Sequence, residues 1–565
     1  MRADAGLFWR LVLHLVLTGL PVVVAMLVAA RRGVRDVPLL LGVGLAASGA
    51  TAMLVFWAFW TDPDLGRAAA IVLVLGSALG IALCRPHRLD RRLLYDLAVP
   101  LALWALGSLF LLYLGFLHGG AGEPLITATT RFSHQLPPDN QLPAYYADWY
   151  YQHGHSSVPP PFGDWLSSDR PPLQSGYTLA QRPFAWDKTG LQYQVLALVV
   201  QQLWILAMWA LLVAARVRPV GRGLVLVAVL VSDIAIVHGF FVWPKLIAAA
   251  FVLAALAMVV SEEWRRWRSS AWVVAVFAAL CALSMLAHGA SAFALIPLVV
   301  FAALRGLPGW RPLLAAVVVA IALLAPWTAY QRWVDPPGDR LVKWQIGGSL
   351  AIDDRGAVET IVDSYQAAGW HGTWQLKWGN VTGMAHRRET DGAVRAAVDM
   401  VEAGKWRDAV VTLRLPRFFW LLPSLGLLLL GAVAMLLARV TRRVRGPDWQ
   451  FATRSLVLCL AMAADWALLM FGTPESATII HQGSLVLPLL AIGALVVGAY
   501  AASPRFAMLL TAANVLFVLF LYVPAISPPP GTSYSVTAGL LAALGLAGFG
   551  WVALRPGQPF IAADG

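Results

Sequence analysis

Charge is scarce in this sequence. Asp, Glu, Lys and Arg make up 13% of 565 residues, where a soluble protein of this length carries about 25%. That excludes one large water-soluble core. Cysteine is rarer still: Cys84, Cys281 and Cys459 all fall inside apolar runs. A disulfide framework and a cysteine-based zinc site are therefore excluded, and the three thiols read as small buried hydrophobes. No internal repeat stands out. No small-residue cleavage site follows the first apolar run, which reads as a retained span and not a signal peptide.

What is present is apolar sequence, 59% of the chain. Runs of 18 or more apolar residues are the mark of membrane-spanning helices. The pattern predicts an all-α polytopic membrane protein with about 15 spans. They are expected at 6–30, 37–60, 68–84, 94–117, 191–215, 223–241, 244–261, 271–288, 290–304, 312–331, 417–438, 451–472, 483–501, 505–523 and 535–554.

The formal charge of +12 lies in short arginine-rich loops. Arg31, Arg32 and Arg35 follow the first run, Arg85, Arg88, Arg91 and Arg92 the third, and Arg216, Arg218 and Arg222 the fifth. Arg265, Arg266 and Arg268, then Arg305 and Arg311, then Arg439, Arg442, Arg443 and Arg445 continue the alternation. Basic loops at every second connection are the positive-inside signature, not a nucleic-acid footprint. They place two long polar segments, 118–190 and 332–416, outside the cytoplasm. The Ala, Leu, Val and Arg bias suits a bacterial inner membrane with a site facing the periplasm.

The first long segment carries Asp139 and Asn140 ahead of a helical stretch, 141–152. Leu142, Tyr145, Tyr146, Trp149 and Tyr150 share one helical face there. Tyr and Trp on an apolar face suit the lipid interface, with Asp139 or Asn140 as the N-cap. Farther on, Ser168-Asp169-Arg170-Pro171-Pro172-Leu173 holds an arginine in a proline-fixed backbone. A guanidinium fork suits phosphate oxygens. Pairing of Arg170 with Asp169 or Asp164 is the plainer reading.

These residues resemble the GT-C membrane glycosyltransferases, in particular the branch with the protein O-mannosyltransferases and the lipid A aminoarabinose transferase. In that family a first extracytoplasmic loop opens on an acidic pair and runs through interfacial helices to a Lys-Pro-Pro-Leu-like motif. The likeness covers about 94–331, leaving three additional helices in 1–93, a second extracytoplasmic segment at 332–416 and further spans in 417–565. It implies a sugar carried on a polyprenyl phosphate, moved to an extracytoplasmic glycan, lipid or protein. Two positions depart from the pattern: Asn140 stands at the second acidic position, and Arg170 replaces Lys. The first weakens any metal site, with Asp139 the ligand if a divalent cation binds; the second keeps the charge.

Asp139, an ionised carboxylate at the interface, is expected to act as base on the acceptor hydroxyl. Arg170, Lys245 and His288 are expected to hold the lipid phosphate. Asn140, Asp169, His238, His481 and Asp233 are further candidates, because ionisable groups at or inside spans are functional by default. Trp370, His371, Trp374 and Trp378 in the second segment, before an expected helix at 391–411, suit either sugar stacking or the interface. Two other readings fit the same sequence: a secondary transporter or flippase built around Asp233, and a non-catalytic subunit of an envelope polysaccharide system.

Overall fold

The computed structural model describes residues 2–133, 136–385, 387–441, 446–472, 484–525 and 534–555. Among the described residues the chain is helical throughout, and the one pairing of strand type is an isolated bridge between Phe162 and Trp165. Ten helices among the described residues are long and apolar enough to cross a membrane, or eleven if one bent pair is a single span. The all-α multi-pass architecture therefore holds, but the number fifteen does not follow. The 223–241 segment is two helices, Pro219–Leu230 and Asp233–Phe241, bent by 54° at their junction. Lys245–Val260, Ala271–Ala287, Gly289–Arg305 and Val486–Ala502 are apolar helices of 10–17 residues, shorter than the roughly 20 residues a bilayer core requires.

Burial sorts these helices into a centre and a rim. Leu191–Gln201, Lys245–Val260 and Val486–Ala502 are buried almost throughout, as a helix surrounded by other helices must be. Trp310–Ala329 and Pro63–Cys84 bury few of their residues, as suits a lipid-facing position. Val536–Leu554 packs along Arg91–Gly115, and the Ser535 N–H donates to the Leu117 carbonyl at 2.9 Å.

The two polar segments contain shorter helices that close on each other. Pro124–Thr130, Leu142–His153 and Leu173–Gln181 lie in the first; Arg340–Gly347, Ala357–Gly383, Arg387–Glu402 and Trp406–Phe419 lie in the second. The helix expected at 391–411 is two helices, because Gly404 turns the chain with φ +74°, a backbone region open to glycine at no cost. Leu142–His153 turns much of the face expected for lipid toward protein, with Tyr145 and Trp149 half-buried. Leu142, Tyr146, Ala147 and Tyr150 are buried against protein, chiefly the helices Leu173–Gln181, Val37–Thr61 and Pro63–Cys84. Asn380 of the sequon Asn380-Val381-Thr382 is buried, and its Nδ2 donates to the carbonyls of Ala467 (3.1 Å) and Met470 (3.0 Å). That amide serves the fold.

Leu173–Gln181 presses closely on Val37–Thr61. A Cβ on Gly176 would stand 2.5 Å from the Ala52 carbonyl oxygen. Backbone cannot swing aside as a side chain can, so Gly176→Ala is expected to push the helices apart and cost about 1–3 kcal/mol. A lowered thermal midpoint of the purified protein checks this; an unchanged midpoint contradicts the close approach.

Candidate functional site

The Asp139 and Arg170 side chains meet. Arg170 Nη2 donates to Asp139 Oδ2 at 3.1 Å, with the two side chains 15% and 12% exposed. Asp139 sits in a short 3-10 turn, Pro138–Gln141, and does not cap the following helix. The cap position is Gln141, which makes no side-chain capping bond. The carboxylate is engaged by a cation 31 residues away instead. Arg170 also lies 4.0 Å from the Trp165 ring centroid, a favourable cation–π position. Its buried Nε has no hydrogen-bond partner among the described residues, which leaves a donor for a ligand.

Lys245 completes the cluster. It opens the helix Lys245–Val260, is 1% exposed, and holds its ammonium 4.2 Å from the Trp243 ring centroid. The charges of Arg170 and Asp139 both act on it. Two cations and one carboxylate give the cluster a formal charge of +1, which favours an anionic ligand. His238 is buried and feels the charge of Lys245. His288 stands at the C-cap of Ala271–Ala287, a helix that packs along Lys245–Val260. His481 lies outside the described residues.

The remaining candidates have structural partners. Asn140 is fully buried; its Nδ2 donates to the Leu125 carbonyl at 3.2 Å. Asp169 pairs with Arg340, not Arg170: Arg340 Nη1 reaches its Oδ2 at 3.2 Å, and the same oxygen accepts from the Leu166 N–H at 2.9 Å. Burial raises the Asp169 carboxyl above the ordinary range, opposed first by the Leu166 N–H and then by Arg340. Arg340 also pairs with Asp164 at 2.8 Å. Asp335 accepts from Ser167 Oγ (2.6 Å) and the Ser168 N–H (2.9 Å). These bonds fasten the two polar segments together immediately before Arg170. Asp233, at the bend between Pro219–Leu230 and Asp233–Phe241, is paired with Arg417 at 2.7 Å.

One network escaped the sequence reading. Gln201 Oε1 accepts from the N–H groups of Leu246 (3.1 Å) and Ile247 (3.0 Å), satisfying the helix start beside Lys245. Gln201 Nε2 donates to Gln174 Oε1 at 2.9 Å; Gln174 Nε2 donates to the Tyr193 hydroxyl at 2.8 Å and the Val242 carbonyl at 2.9 Å. Tyr193 in turn donates to the Asn140 carbonyl at 2.7 Å. This chain of bonds ties the backbones beside Asp139, Arg170 and Lys245 to one rigid frame. The available signal was Gln201 in the middle of an apolar run, where an amide needs a partner.

A divalent cation does not fit this donor set. The nearest partner of Asp139 is a guanidinium, and the Asn140 amide nitrogen is bonded to Leu125. Among the described residues no group of three or more His, Cys, Asp or Glu side chains is placed to hold a metal. Comparison with protein-family models, with curated proteins and with solved structures returns no match.

Proposed function

We propose that this chain is a membrane glycosyltransferase that moves a sugar from a polyprenyl-phosphate donor to an acceptor hydroxyl outside the cytoplasm, with inversion. The observation that carries the reading is the Asp139–Arg170 pair beside buried Lys245: a carboxylate and two cations on one rigid frame. The acceptor oxygen attacks the anomeric carbon and the carbon–phosphate-oxygen bond breaks. The hydroxyl proton passes to Asp139, and the lipid phosphate leaves toward Arg170 and Lys245.

In-line displacement needs the base and the leaving group on opposite sides of the sugar. A direct 3.1 Å ion pair leaves no room for a sugar between its partners. The pair is the resting form, and the donor phosphate competes with Asp139 for Arg170. Binding therefore frees the base at the moment the substrate arrives.

The test is thermal stabilisation of the protein in lipid by a panel of polyprenyl-phosphate sugars, for wild type and Arg170→Ala. A saturable shift lost in the variant supports the donor class. No shift with any donor in a folded protein overturns it. The Asp233–Arg417 pair at a bent helix favours a transporter as the second reading, since broken helices with buried charges line transport sites. Ion-driven uptake into proteoliposomes is the result that would select it.

A further inference from the structure

Two other arginines are buried with no carboxylate paired to them among the described residues. Arg131 follows the short helix Pro124–Thr130 and is 5% exposed; Arg414 lies in Trp406–Phe419 and is fully buried. They meet on one carbonyl: Arg131 Nη1 donates to Pro524 O at 3.3 Å and Arg414 Nη2 to the same oxygen at 2.6 Å. Arg131 Nη2 also donates to Leu114 O (3.2 Å) and Val523 O (3.0 Å). His118 is buried beside them, its ring 4.0 Å from that of Tyr534.

Helix ends explain part of this. Leu114, Val523 and Pro524 lie at the C-terminal ends of Arg91–Gly115 and Pro504–Tyr522, where carbonyls lack partners and cations are favoured. That accounts for the Arg131 Nη groups and one Arg414 nitrogen. It leaves Arg131 Nε, Arg414 Nε and Nη1, and both ring nitrogens of His118 buried without a partner among the described residues. It also leaves two positive charges side by side in a desolvated place, which is costly unless they are compensated.

Among the described residues, the titratable groups that act on these side chains are all basic or phenolic. Arg131 feels Arg414 and Tyr534; Arg414 feels Tyr522 and Tyr534; His118 feels Arg131, Arg407 and Arg414. Burial, then Arg414, pushes the Arg131 guanidinium down to about 9. Burial pushes Arg414 down to about 10 and, together with the three arginines, His118 down to about 3. An anion among them would oppose each of these shifts.

We propose that Arg131, Arg414 and His118 form a binding site for a phosphate oxyanion, made of residues other than those of the Asp139–Arg170–Lys245 cluster. Free N–H groups from two guanidiniums match the oxygens of a phosphate, the ligand for which arginine geometry is best suited. The phosphate can be a lipid headgroup or a free ion. A largely apolar groove of about 490 Å³, lined by Leu413, Leu422, Leu429 and Phe517 together with the charged Asp391 and Arg417, opens beside Leu413, the chain neighbour of Arg414. It would take the chain of a phospholipid.

The experiment uses the full chain in nanodiscs. One arm adds millimolar inorganic phosphate to pure phosphatidylcholine discs, against chloride at equal ionic strength; the other replaces part of the phosphatidylcholine with phosphatidic acid. Wild type is expected to gain roughly 2–4 °C in thermal midpoint in at least one arm. Arg414→Gln is expected to gain nothing in either arm, and to be no less stable than wild type without phosphate, because it removes one of two like charges. A gain with inorganic phosphate identifies a free-ion site. A gain with phosphatidic acid alone identifies a lipid headgroup. No gain by wild type in either arm, or an equal gain by Arg414→Gln, overturns the proposal. Should that variant not fold, Arg414→Lys carries the same test. It keeps the charge, loses the planar fork, and is expected to bind the effective probe about tenfold more weakly; unchanged binding overturns the site.

Discussion

Asp139→Asn is expected to abolish sugar transfer while tightening donor binding. The substitution keeps the shape of the side chain and removes its negative charge. Loss of a general base lowers turnover by about 10²–10⁴-fold. The same change releases Arg170, which in the resting protein is held by Asp139 Oδ2 at 3.1 Å. The donor phosphate then meets a guanidinium with no competing carboxylate, so its dissociation constant falls. Opposite signs in the two measurements are the signature of a base that guards its own phosphate anchor. Turnover within threefold of wild type would exclude Asp139 as the base. Loss of donor binding together with turnover would mean that the pair holds the loop and does no chemistry.

The largest loss of stability is expected from Arg340→Ala. Its guanidinium is the cation on Asp169, whose side chain is fully buried. Removing one partner of a buried pair leaves an uncompensated charge and costs about 3–5 kcal/mol. Asp164, the other partner of Arg340, is 71% exposed, so Asp164→Ala is expected to cost no more than about 1 kcal/mol. Denaturation of the two variants side by side checks the contrast, and equal losses would contradict it. The pH dependence has a definite sign. Burial already raises the Asp169 carboxyl above 3.8, and loss of Arg340 raises it further. A carboxyl with a raised folded-state pKa favours the folded state when protonated, and that benefit disappears as pH rises through the raised value. The Arg340→Ala deficit therefore shrinks as pH falls toward the carboxylate range and is full at neutral pH.

The helices were legible because apolar runs report directly on which stretches avoid water. The number able to span was less so, since length in residues does not reveal a bend at Ser232-Asp233 or a helix that stops short. Asp139 and Arg170 stood out from residue type and setting, but not their contact. Pairing across 31 residues depends on tertiary packing, which periodicity does not encode. The aromatic face of Leu142–His153 shows the same gap: the pattern says that one face is covered and leaves open whether lipid or protein covers it. Arg131 and Arg414 gave no signal. An arginine in a polar loop reads as solvated, and only the fold reveals that these two are buried together. Gln201 did carry one, an amide inside an apolar run, and the network around it is what aligns the candidate site.

The packing of Val536–Leu554 along Arg91–Gly115 sets a clock on biogenesis. At roughly 5–20 residues per second, a ribosome needs about 20–80 s to travel from the end of the earlier helix to the start of the later one. Through that interval the face of Arg91–Gly115 that will receive its last neighbour must be covered by lipid or by a chaperone of membrane insertion. A chain that stalls before residue 536 leaves that face permanently open, and quality control has a defined surface on which to recognise it.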